Sequence, residues 1–253
     1  MYGLIGKKLT HSFSAEFFNE KFRREGIDES YRLFPLESVD LLPSLLKAYP
    51  ELKGLNVTIP YKEDVIKFLD EISPDAAKIG AVNVIKIQKK EDYQSASGSD
   101  NNFFLKGYNT DYMGFRDSLI PLLRPDIKKS IILGTGGASK AIEYALKELG
   151  IESVKVSRNP DKEQISYHEI NKDIMKEHLL IVNTTPLGTF PEVNEYPPIP
   201  YQYITPEHVC YDLVYNPPVT KFMSLCTEKG AVTKNGLEML HLQALKAWDI
   251  WTS

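Results

Sequence analysis

Residues 131–150 read IILGTGGASKAIEYALKELG: an apolar run, a glycine-rich turn and an amphipathic run stopped by Gly150. No other stretch constrains the chain as much. A buried strand that enters a helix through glycines is the phosphate-binding corner of a parallel α/β sheet. One glycine permits the sharp turn, a second lets backbone approach a pyrophosphate, and the first N–H groups of the helix face the anion. Gly134, Gly136, Gly137 and Ala138 are the candidate cofactor contacts, with Ser139 where GxGxxG has its third glycine. Any glycine-rich strand-to-helix turn shares these properties, so the turn alone does not choose a ligand.

The following strand narrows the choice. About 20 residues on, an NAD-binding chain carries Asp or Glu for the ribose hydroxyls. Here VKV runs into Ser157-Arg158-Asn159 instead. A guanidinium suits a ribose 2′-phosphate by charge and by bidentate hydrogen bonds, whereas a carboxylate would repel it. The expected cofactor is NADP. The alternative is that Arg158 is a solvated surface charge.

Strand and helix signals alternate along both halves, which predicts an α/β chain of two domains. In the first half, Tyr2–Ile5, YRLFPL, LNVTI, AVNVIKI and FFLKGYN read as strands. HSFSAEFFNEKFRREG reads as a helix stopped by Gly26, SVDLLPSLLKAY as one restarted near Pro43, and SPDAAKIG as a short capped one. Pro60 suits the first position of a helix with a stripe of Val65, Ile66 and Leu69. KKEDYQSASGSDNN reads as a mobile polar connection. In the second half SVKVSRN, LLIVNTT, HVCYDLVYN and AVTKNG read as strands. The proline-rich segment from 186 to 206 reads as a lid or surface excursion. GLEMLHLQALKAWDIW closes the chain as a helix. The seam between the two domains falls near Asn109.

Composition removes several classes. The 253 residues carry a net charge of −4 with no basic cluster, which argues against a nucleic-acid face. No run approaches the roughly 18 apolar residues of a membrane span, and no signal-peptide core opens the chain. Cys210 and Cys226 fit neither a metal spacing nor a disulfide framework, so two buried thiols and no metal are expected. These readings point to a soluble, cytoplasmic protein.

Separated motifs then agree on one family. GLIGKKLTHSFS, GLNVTIPYK, IGAVNVI, GYNTDYMGF, LGTGGASKA, VSRN, IVNTTPLG, YDLVYNPP and NGLEMLHLQA, in that order, resemble the shikimate dehydrogenases over nearly the whole chain. The resemblance implies a reversible, NADP-linked reduction of 3-dehydroshikimate to shikimate in aromatic amino-acid biosynthesis. It implies that Lys62 and Asp111 are the catalytic pair. Hydride reaching the C3 carbonyl leaves charge on oxygen, which an ammonium stabilises and protonates, directly or through a water. Asp111 would orient the lysine and accept a hydrogen bond from a substrate hydroxyl. On the residues alone, Lys62 could equally be an exposed helix-start lysine and Asp111 a helix cap.

The family's substrate contacts fall on Ser12, Ser14, Thr58, Asn83 and Gln243, with Asn56 a weaker candidate. Tyr215 matches a tyrosine near the substrate carboxylate, and His11 reads as a structural donor. A substrate contact from Gln243 requires the last helix to return to the first domain, with substrate in a cleft between the two; the resemblance thus implies 1–109 plus 236–253 as the substrate-binding and catalytic domain and 110–235 as a Rossmann-like NADP-binding domain. Thr185-Pro186, Val84, Glu238 and His241 depart from the usual pattern and bear on substrate breadth. The rival readings are a quinate/shikimate dehydrogenase using NAD or both cofactors, and a non-catalytic nucleotide-binding relative.

Overall fold

In the computed structural model, which describes residues 1–9, 12–90 and 102–253, the chain divides into two compact units. One comprises Met1–Thr110 with Ala244–Ser253, the other Asp111–Gln243.

In the first unit, β1 (Tyr2–Gly6), β2 (Tyr31–Pro35), β3 (Gly54–Val57), β4 (Glu71–Ile72), β5 (Val84–Lys89) and β6 (Phe103–Tyr108) form one sheet, ordered β2-β1-β3-β5-β6-β4. β1 lies parallel to β2 and β3, whereas β5 runs antiparallel to β3 and β6. Three helices connect the strands: α1 (Phe13–Glu25), α2 (Leu42–Ala48) and α3 (Pro74–Ile79). Local chemistry sets their ends. Ser73 caps α3 and Gly80 closes it in the left-handed region, and Gly26 does the same for α1.

An aromatic cluster fills one part of this unit's core. Tyr2, Phe18, Phe22 and Tyr31 pack with Trp248 and Trp251 from the end of the chain. Phe18 stacks on Tyr31 at 4.9 Å and Tyr2 on Trp251 at 4.8 Å. The Trp251 indole N–H donates to the Ile85 carbonyl at 3.0 Å and occupies the space that a side chain at residue 54 would need, so glycine stands there.

The second unit opens with α4 (Asp111–Leu119) and continues through β7 (Lys129–Leu133), α5 (Gly137–Glu148), β8 (Glu152–Ser157), β9 (Gln164–Ser166), α6 (Lys172–Glu177), β10 (Leu180–Asn183), β11 (Val209–Asp212), α7 (Lys221–Thr227) and β12 (Val232–Lys234). Its six strands are all parallel, in the order β12-β11-β10-β7-β8-β9. That is a doubly wound sheet whose direction of winding reverses between β7 and β10, where such sheets bind ligands. The final helix, α8 (Leu237–Thr252), belongs to this unit through Gln243 and to the first from Ala244 onward. Among the described residues no helix is long and apolar enough to cross a membrane.

Some local expectations change. No helix starts at Pro60; residues 59–63 form turns and a 3-10 helix covers Asp64–Phe68. Val65 is fully buried, so the apolar stripe reports packing of a short turn rather than a full helix. In the 186–206 segment, Ile199 and Ile204 enter the core of the second unit beside Phe222. Cys210 and Cys226 are free and buried in that same core. His11 and most of the 89–102 connection lie outside the described residues. The flanks of that connection meet where the Lys90 N–H donates to Asn102 at 3.0 Å.

Candidate active site

In the first unit, Asn56, Thr58, Asn83 and Thr110 come to one end of the neighbouring strands β3, β5 and β6, because Val84 pairs with both Asn56 and Tyr108. Thr58 continues β3, its N–H donating to Ile5 at 2.9 Å. Its methyl lies 2.6 Å from where a Cβ on Gly6 would be, so only glycine lets β1 end against it. Lys62 is half-buried, and its backbone carbonyl accepts the Val82 N–H at 2.7 Å. The next residue, Asn83, is 3% exposed; its Oδ1 accepts the Thr110 N–H at 2.7 Å and its Nδ2 donates to Thr110 Oγ1 at 3.1 Å. Asn83 therefore braces backbone as well as being a candidate ligand contact.

The serines divide the work. Ser12 caps α1, its Oγ accepting from the Ala15 N–H at 3.4 Å. Burial raises the Tyr31 hydroxyl well above the usual phenol range, and the Ser14 hydroxyl pulls it the other way. Tyr31 in turn donates to Asn56 Oδ1 at 2.7 Å, and Asn56 Nδ2 donates to the Asn83 carbonyl at 3.3 Å. Ser14, Asn56 and Asn83 are thus linked through a tyrosine that sequence reasoning did not single out.

In the second unit, Asp111 is the first residue of α4 and is 3% exposed. Gly114, one turn on and on the same face, admits α8: a Cβ there would sit 2.6 Å from the Met239 carbonyl and 3.0 Å from the Gln243 nitrogen. Asp111 and Gln243 therefore stand on adjoining helices. Tyr215 lies on the loop after β11 and is 38% exposed.

The glycine turn has the properties a dinucleotide needs. Gly134 adopts φ +112°, and a Cβ there would press on Thr184 Oγ1 at 2.7 Å. Gly136 precedes α5, and no protein atom lies within 4 Å of where its Cβ would be, so a phosphate can reach the backbone. Gly137 and Ala138 open the helix, and the Ser139 hydroxyl donates back to the Gly136 carbonyl at 2.9 Å. At the end of β8 the Asn159 N–H donates to Ser157 Oγ at 3.2 Å, turning the chain and leaving Arg158 exposed. An exposed guanidinium at the end of the second strand is what a 2′-phosphate requires.

Sequence reasoning missed the polar pair at the ends of β10 and β11. Asn183 and Asp212 are register partners and fully buried. Asn183 Nδ2 donates to Asp212 Oδ1 at 2.9 Å, while its Oδ1 accepts the Thr185 N–H and hydroxyl at 3.0 and 2.6 Å. Asp212 Oδ1 also accepts the Val214 N–H at 3.0 Å, and Oδ2 accepts the Thr220 hydroxyl at 2.6 Å. Burial pushes this carboxyl up to about 6, against the pull of those three donors. The available signal was an acidic residue ending the apolar run HVCYD.

Residues 4–85 match the family model described as the shikimate dehydrogenase substrate binding domain. A shikimate dehydrogenase (NADP(+)) of Carboxydothermus hydrogenoformans is 37% identical, over 99% of this chain and 90% of its own. Among solved structures, a chorismate mutase/shikimate 5-dehydrogenase fusion protein from Clostridium acetobutylicum is 35% identical, with a TM-score of 0.82 over 99% of this chain and 90% of that one. The shikimate 5-dehydrogenase of Thermus thermophilus, in complex with NADP(H) and shikimate, is 29% identical, with a TM-score of 0.82 over 99% and 92% of the two chains.

Proposed function

Because the chain belongs to the shikimate dehydrogenase family, we infer that it catalyses the reversible, NADP-dependent reduction of 3-dehydroshikimate to shikimate, a step of aromatic amino-acid biosynthesis. The observation that carries this reading is identity of 37% sustained over 99% of the chain. The open backbone at Gly136 and the exposed Arg158 support NADP as the cofactor. Bound by Gly134, Gly136, Gly137 and Ala138 at its pyrophosphate and by Ser157, Arg158 and Asn159 at its ribose phosphate, NADP supplies the hydride chemistry.

The chain's own residues do the rest. Lys62 stabilises the charge that develops on the C3 oxygen and delivers a proton to that atom, directly or through a water. Asp111 accepts a hydrogen bond from a ring hydroxyl. Ser12, Ser14 and Tyr215 donate to the carboxylate, while Thr58, Asn83 and Gln243 meet the hydroxyls with groups able to donate and accept. The catalyst works in the cytoplasm as a monomer or homodimer; the net charge of −4 supports the reading that it has no nucleic-acid partner.

The test is NADP reduction on adding shikimate, with NAD and quinate as controls. Turnover is expected with NADP and shikimate and falls sharply with either control. Equal rates with NAD or with quinate would favour the broader dehydrogenase, and no turnover with any pairing would overturn the reading.

A further inference from the structure

Two loops leave the carboxyl end of the second sheet side by side, one after Asn183 and one after Asp212. Backbone bonds start each loop, from Thr184 to Leu133 and from Leu213 to Asn183, and side chains buried in the sheet then hold Thr185 and Val214. Asp212 is the hub. It takes the Asn183 amide and the Val214 N–H on Oδ1, and the Thr220 hydroxyl on Oδ2. Thr220 is committed in turn, because its oxygen accepts the Met223 N–H at 3.2 Å and caps α7. Asn183 passes the restraint on to Thr185.

Every group facing Asp212 in this network is a donor. An ionised carboxylate, which only accepts, satisfies all of them. A protonated carboxyl brings a hydrogen for which this network of donors offers no spare acceptor, and its oxygens, no longer charged, accept more weakly, so the hold on the loop loosens. Val214 is the direct link to the next residue, Tyr215, which stands exposed on the loop.

We propose that Asp212 is a positioning residue for Tyr215, holding the loop in its binding geometry only while ionised. The proposal rests on the reading that Tyr215 meets the substrate carboxylate. Among the described residues no cation pairs with Asp212, so nothing offsets its desolvation except the three donors. Of the titratable groups around it, Tyr201 in the 3-10 turn Tyr201–Tyr203 feels its charge, with Cys226 of α7 and Cys210 of β11 alongside. Burial raises Tyr201, and the Cys226 thiol together with burial raises Cys210, so both are neutral over the range that matters. The carboxyl itself, pushed up to about 6, changes charge close to neutrality. Substrate affinity should then weaken under mildly acidic conditions, well above the range in which an ordinary carboxylate titrates.

The experiment is calorimetric titration of the full chain with shikimate, without cofactor, between about pH 5 and about pH 8. The wild type should lose at least about threefold in affinity on the acid side of about pH 6. Asp212→Asn, which cannot ionise, should bind with the weakened affinity at every pH. Thr220→Val removes one donor to the carboxylate, so its transition should move to higher pH; it stands in if Asp212→Asn does not fold. A wild-type affinity independent of pH, or a variant that keeps the wild-type transition, overturns the proposal. Absence of shikimate binding at every pH would instead count against the functional reading.

Discussion

The Asn83 side chain grips Thr110 at two points, accepting its N–H at 2.7 Å and donating to its hydroxyl at 3.1 Å. Thr110 is fully buried and immediately precedes Asp111. The peptide that carries the proposed catalytic carboxylate is thus fixed by an amide at the start of β5. Asn83→Ala should reduce stability by on the order of 2 kcal/mol, since a buried backbone N–H loses its acceptor. Urea unfolding measures this, and a change below about 0.5 kcal/mol would contradict the bracing role.

Lys62 separates chemistry from structure. Its backbone carbonyl holds Val82, a bond that alanine preserves. Lys62→Ala should therefore melt like the wild type and bind shikimate with little change in KM, while kcat falls by at least about tenfold, or ~1.4 kcal/mol. Steady-state rates beside a thermal melt decide it; a smaller loss removes Lys62 from the proposed role.

Arg158 should govern the choice of cofactor. Charge-assisted hydrogen bonds contribute about 1.5–3 kcal/mol each, so Arg158→Ala should raise KM for NADP by about tenfold or more and leave KM for NAD unchanged. Parallel effects on both cofactors would mean the guanidinium does not meet the 2′-phosphate.

These features differed in how far the sequence exposed them. The glycine turn, the caps at Ser73 and Gly80 and the Arg158 turn are written in neighbouring residues, where backbone sterics act locally. Tyr31 and Asp212 owe their roles to partners brought in by strand pairing: Asn56 lies 25 positions from Tyr31, and Asn183 lies 29 from Asp212. Their neighbours in sequence hold no trace of that pairing. Pro60 misled for the opposite reason. Its local preference for a helix start was real, but burial of Val65 and the Val82 bond to Lys62 shaped the segment into turns.

Asp212 gives stability a pH dependence of definite sign. Its folded-state value, about 6, lies above the ordinary 3.8, so the folded protein binds the proton more tightly than the unfolded chain. The stabilising contribution is complete below the unfolded value and disappears as pH rises through the folded one. Relative to Asp212→Asn, the wild type should gain about 2 kcal/mol between about pH 7.5 and about pH 4.5. Urea unfolding of both proteins at the two values tests this; parallel profiles would refute it.

Gly54 is required by packing. An added methyl must displace the Trp251 indole, which is anchored on the Ile85 carbonyl. Gly54→Ala should destabilise by about 1–3 kcal/mol. In a Trp251→Phe background the same change should do much less, because the smaller ring vacates the space; full additivity in denaturation would show that the strain lies elsewhere.

Trp251 also sets an order of events in time. Strands β1 to β3 are synthesised long before the ring that fills the space over Gly54. The aromatic core of the first unit is therefore complete only once Trp251 has been made. Until then Tyr2, Phe18 and Tyr31 present an unfilled aromatic seat, and a nascent chain halted short of Trp251 would hold that surface open to the cell's chaperones.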